Sequence, residues 1–155
     1  MSVNSFKGHN HHSCVNDAID ALEAYCVDKK LKLTALRRKV FEILLEEHKA
    51  IKAYKILDRL RLTGMSAQPP VAYRSLEFLV SNGFAHKIER LNAFVACNHI
   101  GEQHVPAFLI CRSCKLIEET VTTASIKGLK RSATNSNFLI ENSVVEAIGT
   151  CPTCH

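Results

Sequence analysis

The chain has 155 residues, with 20 Lys and Arg against 15 Asp and Glu, a net charge of +5 and seven cysteines. That length suits one domain or two small ones, and no apolar run approaches the ~20 residues of a membrane span, which excludes a helical membrane protein. The opening MSVNSFKGHNHHSC has neither a basic n-region nor an apolar h-region, so the expected compartment is the cytoplasm, where thiols serve metals more readily than disulfides.

Charge is unevenly spread. Residues 1–90 hold 15 Lys and Arg against 10 Asp and Glu, whereas residues 91–155 hold 5 against 5. A polyanion partner for the first part and another task for the neutral remainder would explain this, as would a basic surface with no partner at all.

From Val15 to Val27 the apolar residues Val15, Ala18, Ile19, Leu22, Tyr25 and Cys26 recur at three and four, predicting an amphipathic helix. Residues 1–14, rich in His, are expected to be mobile; His9, His11, His12 and Cys14 offer at most adventitious metal binding. A second helix lies in LTALRRKVFEILLEEH with Thr34 as N-cap. A third is KAYKILDRLRL, with Ile56, Leu57 and Leu60 on one stripe, and there Asp58 and Arg61 are expected to pair within the helix. The fourth follows the tandem prolines of QPPVAYRSLEFLVSNG, with Leu76, Leu79 and Val80 on the buried face and Gly83 capping the end.

Next, FAHKIERLNAFVAC predicts a hairpin turning near Leu91 and Asn92. Centred there, positions summing to 183 face each other, which puts His86 opposite Cys97. Helix, turn, helix and hairpin together spell a winged helix-turn-helix. Beyond it, AFVAC, AFLIC, KLIEET and FLIENSVVEAIG read as strands, with a weaker helix in TTASIKGLKRSAT. The expected fold is therefore α+β, an N-terminal winged helix-turn-helix over residues 1–90 followed by a small α/β dimerisation domain over residues 91–155. Its exposed sheet edges would be covered by a second copy.

Two CxxC pairs carry the clearest chemistry. Cys111 with Cys114, and Cys151 with Cys154, can turn four thiolates onto one ion at about 2.3 Å, a closed tetrahedral site suited to structural zinc. The pairs are 36 residues apart, so the ion would staple a strand to a distant segment; a redox pair is the competing reading. A second constellation mixes ligands: His86 in the hairpin, Cys97 and His104 flanking a loop, and Glu119 after the first CxxC, a borderline set suited to zinc. Each of these has a plainer alternative as a packing or surface group, and His99 could substitute in the set. Cys14, Cys26, His48 and His155 are assigned to packing or surface. Without an activated nucleophile or a phosphate-cradling glycine loop, neither an enzymatic activity nor a small-molecule substrate is expected.

With LTALRRKVFEILL, AYKILDRLR, PPVAYRSLEFLVSNGFAHKIE, FVACNH and the CxxC to CxxC pattern in view, the chain resembles the ferric uptake regulator (Fur) superfamily from about Leu33 to Cys154, nearest its zinc uptake regulator branch. The resemblance implies two zinc ions per subunit. One is structural, on Cys111, Cys114, Cys151 and Cys154; the other is regulatory, on His86, Cys97, His104 and Glu119. It also implies DNA contacts by Tyr73 and Arg74 of the recognition helix, by Tyr54 of the preceding AY motif and by Arg37. LTALR and PPVAYR depart from the usual LTPQR and PPTVYR, the latter losing a threonine able to contact phosphate. The function implied is a homodimeric, zinc-activated repressor that binds double-stranded operator DNA and controls zinc-uptake genes. Arg74 would read a base, with Arg37, Lys39, Lys55 and Lys87 on phosphates. An iron- or peroxide-sensing regulator is the alternative within the class, and a thiol redox switch binding a protein partner is the alternative outside it.

Overall fold

The computed structural model describes residues 11–65 and 68–155. Of the stretch expected to be mobile, residues 1–10 lie outside those described, while His11–Cys14 begin the first helix, α1 (His11–Asp28). Its predicted stripe faces inward: Ala18, Ile19, Leu22 and Cys26 are buried, and Val15 and Tyr25 pack beside them. In α2 (Ala35–Leu45) Thr34 is the N-cap, its hydroxyl accepting from the Arg37 amide at 3.2 Å and so satisfying a donor that has no acceptor within the helix. α3 (Ala53–Leu62) buries Ile56, Leu57 and Leu60 as predicted. Its Arg61 and Asp58 form an exposed ion pair at 3.1 Å within the helix.

In α4 (Pro69–Ser81) the prolines occupy the first helical positions, where their missing amides cost nothing. The buried face is Ala72, Ser75, Leu76 and Leu79, whereas Val80, expected inside, is 36% exposed. The reason is angular: 72, 75, 76 and 79 already complete an i, i+3, i+4, i+7 stripe, and position 80 falls at its margin. Gly83, at φ +78°, ends the helix, with Gly83 N–H donating to Val80 O at 3.2 Å and Phe84 N–H to Leu79 O at 2.9 Å. Phe84 then drops into the helical core, with its ring edge-on to Phe41 and to Tyr25.

The hairpin is β1 (Ala85–Ile88) and β2 (Ala93–Ala96), joined by a 3-10 turn over Glu89–Leu91. Pairing runs Ala85 to Ala96 and His86 to Val95, so opposed positions sum to 181 rather than the predicted 183. Asn92, at φ 44° and ψ 52°, is the cause, since its left-handed conformation closes the turn one residue earlier than a bend at Leu91 and Asn92 would. A shift of two preserves the face, so His86 and Cys97 remain diagonal neighbours rather than a directly opposed pair. Ile51 adds a one-residue bridge to this sheet, exchanging both backbone hydrogen bonds with Phe94.

The second sheet has the order β4–β3–β5, with β3 (Pro106–Cys111) antiparallel to β4 (Ile117–Val121) and parallel to β5 (Val145–Gly149). α5 (Thr123–Asn135) connects β4 to β5 and buries only Ile126. The strand expected across FLIENSVVEAIG is confined to Val145–Gly149, and Phe138 and Leu139 are exposed outside any strand. A parallel partner needs a crossover, and the chain uses these residues to return alongside β3. The hairpin docks on this sheet through a shared small core of Ile88, Val95, Phe108, Ile110 and Ile117. The anticipated boundary between residues 90 and 91 falls inside the hairpin turn. Among the described residues no helix is long and apolar enough to cross a membrane.

Candidate metal centres and nucleic-acid face

Four side chains from four places converge where hairpin meets sheet: His86 of β1, Cys97 just past β2, His104 in the connection to β3, and Glu119 of β4. Cys97 is fixed by its own amide, which donates to Phe84 O at 2.9 Å. Glu119 stands opposite Phe108 in the β3–β4 register. From Cys97 Sγ to His104 Nε2 is 3.7 Å and to Glu119 Oε1 3.8 Å; Glu119 Oε1 lies 2.7 Å from His104 Nε2 and 2.9 Å from His86 Nε2. A tetrahedral ion with bonds of about 2.0–2.3 Å would have donor separations of roughly 3.3–3.8 Å, so the sulfur edges already match and the carboxylate edges need only a slight opening.

One of the four donors is left out of the hydrogen bonds that link the other three, as a metal ligand would be. Although His86 Nε2 is close to Glu119, it is buried with no aligned hydrogen-bond partner, as expected of a donor whose lone pair points at a common centre. Outer contacts hold the donors in place: His104 Nδ1 lies 2.8 Å from Glu102 O, leaving Nε2 to face the cluster; the Asn98 amide donates to the second Glu119 oxygen at 2.7 Å; the His99 amide donates to Cys97 Sγ at 3.3 Å. These partners are mostly backbone groups, which no side-chain pattern announces. His99 itself is buried against His104 with Nδ1 unpartnered, but it stands outside the four-donor group.

Electrostatics set the pH behaviour. Burial, then the Glu119 carboxylate, pushes the Cys97 thiol up to about 12. Burial of Glu119 (3% exposed) opposes its ionisation, but the proximity of His86, the Asn98 amide and His104 outweigh it and hold the carboxyl at about 2. Glu119 therefore stabilises the fold above its ordinary range near 4.5, a contribution lost as acid takes pH through about 2. Cys97, by contrast, must shed a proton to ligate. Metal affinity at this cluster should accordingly rise about tenfold between pH 7.5 and 8.5; competition with a chromophoric chelator at the two pH values checks it, and a flat response would show that Cys97 is not a ligand.

The second cluster, Cys111, Cys114, Cys151 and Cys154, lies at the far end of β3. The turn after β3 closes with Lys115 N–H donating to Cys111 O at 3.0 Å, and Cys114 within it lies in one group with Cys111. Pairing of Cys111 with Gly149 delivers Cys151 from β5, and the Cys151 amide donates to Cys111 Sγ at 3.4 Å. Cys114 Sγ and Cys151 Sγ are 3.6 Å apart, near the roughly 3.8 Å edge of a tetrahedral thiolate site. All four are free thiols. The amides of Cys114 and Cys151 hold the Cys111 thiol well below its usual range, and the neighbouring Cys151 sulfur pushes Cys154 up. The four protons leave together only where a cation takes their place. Of the other cysteines and histidines, Cys26 is buried in the helical core, and His155 Nδ1 lies 2.9 Å from Cys151 O. His9 and the side chain of His11 lie outside the described residues.

On the helical lobe, Tyr54 (56% exposed), Tyr73 (51% exposed) and Arg74 stand on the surface of α3 and α4. Arg37 is engaged locally: its guanidinium donates to Lys32 O at 2.5 Å and stacks 3.9 Å from the Phe78 ring, tying α2 to α4. Lys39 pairs with Glu42 at 2.9 Å and Lys87 with Glu89 at 3.1 Å, both partly or largely exposed to solvent.

No family model matches the sequence. The chain is 34% identical over 134 residues to the zinc uptake regulation protein of Escherichia coli (strain K12), spanning 85% of this chain and 78% of that protein. A solved zinc uptake regulator complexed with zinc and DNA superposes with a TM-score of 0.86 at 31% identity, covering 90% of this chain and 93% of that one. The holo form of XcZur gives 0.81 at 36% identity, covering 89% and 96%. Its apo form gives only 0.54 at the same 36% identity, covering 92% and 98%. Sequence likeness is constant between those two forms, so the difference is one of arrangement, and the arrangement seen here is similar to the holo one.

Proposed function

The chain belongs to the family of zinc uptake regulation proteins, and on that premise we propose that it is a zinc-responsive, DNA-binding transcriptional repressor of zinc-uptake genes. It acts by binding rather than by catalysis, as a cytoplasmic homodimer with two zinc ions per subunit. Residues 1–90 bind DNA and residues 91–155 dimerise. The observation that carries this reading is the origin of the mixed cluster, whose donors come from both sides of the junction: His86 from the hairpin, Cys97 from the hinge, His104 and Glu119 from the sheet lobe.

Zinc bound there supplies two positive charges and directional bonds to all four donors. The chain's own residues do the rest. Cys97 and Glu119 cannot separate while both are held, so the hairpin stays docked on the sheet and α4 keeps a fixed orientation relative to its dimer mate. Carrying such an equilibrium from 1:99 to 99:1 takes about 5.5 kcal/mol of differential binding, within reach of a four-donor site. Cys111, Cys114, Cys151 and Cys154 hold the structural ion. Leu109 and Ile148, exposed on the sheet, give the dimer face an apolar centre.

Arg74 reads a base edge in the major groove, Tyr73 and Tyr54 are further DNA contacts, and Arg37 and Lys55 contact phosphate. Arg74→Ala should cost about 1–3 kcal/mol on the operator and relax preference at one base position, whereas Lys55→Ala should weaken all sequences alike and flatten the salt dependence. Anisotropy titrations on operator and single-base variants separate the two. The functional reading as a whole is tested by gel shift with a zinc-uptake promoter fragment. Retardation should require zinc, disappear with chelator and fail to return with ferrous ion or on peroxide treatment; retardation indifferent to chelator would refute it.

A further inference from the structure

The hairpin and the sheet lobe are joined by a second contact that uses no metal donor. Glu146, half-buried on β5, extends its carboxylate to the start of the 3-10 turn in the hairpin. One oxygen accepts from the Glu89 amide at 2.8 Å and the other from the Arg90 amide at 3.3 Å. Amides at the start of a helical turn have no acceptor within it. A carboxylate satisfies two at once with charge-assisted hydrogen bonds, as a capping residue does, except that here the cap comes from another lobe. Glu146 is itself fixed, because β5 pairs it in register with Phe108, a member of the small core on which the hairpin rests. Other links between the lobes lie elsewhere: Ile117 N–H to His48 O at 2.9 Å reaches the connection between α2 and α3, and Asn98 N–H to Glu119 at 2.7 Å lies beyond β2.

We propose that Glu146 is a positioning residue for DNA binding: a metal-independent clasp that holds the hairpin turn against β5 in the arrangement that zinc selects. The proposal rests on the reading of that arrangement as the DNA-competent one. Because the clasp and the ion favour the same arrangement, each reduces the differential binding the other must supply. Its loss therefore raises the zinc concentration needed and leaves the saturated complex intact.

The experiment uses the full chain with Glu146→Ala and the near-isosteric Glu146→Gln. For Glu146→Ala, half-maximal operator binding should need about tenfold more free zinc, equivalent to about 1.4 kcal/mol, with unchanged affinity at saturating zinc and unchanged zinc content. Hydrogen exchange at the Glu89 and Arg90 amides of the DNA-free protein should accelerate on the order of tenfold, with Glu146→Gln intermediate in both measurements. A zinc midpoint that moves less than twofold in both variants, or unchanged exchange at those two amides, overturns the clasp. Should wild-type operator binding prove indifferent to zinc, the regulator reading fails first, and exchange at Glu89 and Arg90 still decides whether the clasp exists.

Discussion

Replacing Cys97 with Ala should lower operator affinity at moderate zinc on the order of a hundredfold, about 2.7 kcal/mol, and on the proposed two-zinc reading should lower zinc content by one ion per subunit. The thiol is 2% exposed and its amide, not its sulfur, carries the backbone link to Phe84, so the methyl group fits and the fold survives. What is lost is the donor at the hinge itself. His86, His104 and Glu119 remain close together, but three donors without a thiolate hold zinc less firmly and no longer fix the hinge. Cys26→Ala is the control: equally buried, but packed in the helical core, it should cost some stability and leave zinc content and zinc response alone. Undiminished operator binding by the Cys97 variant would remove the basis for a zinc-held hinge.

Cys151→Ser should have the largest effect on stability. The sheet lobe and docked hairpin share a core of only five buried side chains, each contributing roughly 1.5–3 kcal/mol, against an ordering cost of about 1–2 kcal/mol for every fixed residue. An ion held by the four thiolates, as proposed, would supply the difference; in model zinc fingers such binding amounts to about 10–16 kcal/mol. Losing even about 5 kcal/mol of it would lower the melting midpoint by roughly 20 °C. Circular dichroism melts and size-exclusion chromatography should show an early transition and a shift toward monomer, while the helical lobe, with its own core, melts later.

Much of this was legible in the sequence because period and spacing are local properties. The stripe Ile56, Leu57, Leu60, the cap at Thr34 and the CxxC pairs each follow from a few neighbouring residues. The mixed cluster is legible as a set of residue types, though its geometry is not: the hairpin register depends on the left-handed Asn92, and the two-residue shift it causes leaves His86 and Cys97 on one face. Val80 has the apolar identity of a core residue but the wrong angle on the helix, and Phe138 and Leu139 have the composition of a strand, whereas their exposure depends on what the rest of the chain leaves uncovered. Glu146 carries no sequence signal at all. Its partners are the backbone amides of Glu89 and Arg90, brought near only by tertiary folding.

β3 has a property that neither cluster has alone. Phe108 stands opposite Glu119 and Cys111 belongs to the four thiols, so the two clusters are separated along one strand by three residues, about 10 Å. One end is a set of four sulfurs and the other a mixed set whose donors come from both the hairpin and the sheet lobe. Under the proposed function, loss of an ion from the mixed cluster would leave an ion on the four thiols still bracing the strand, so the subunit emptied at the mixed cluster would be a folded receptor and not a denatured chain. Resetting the proposed response would then take only the return of an ion, without synthesis or refolding.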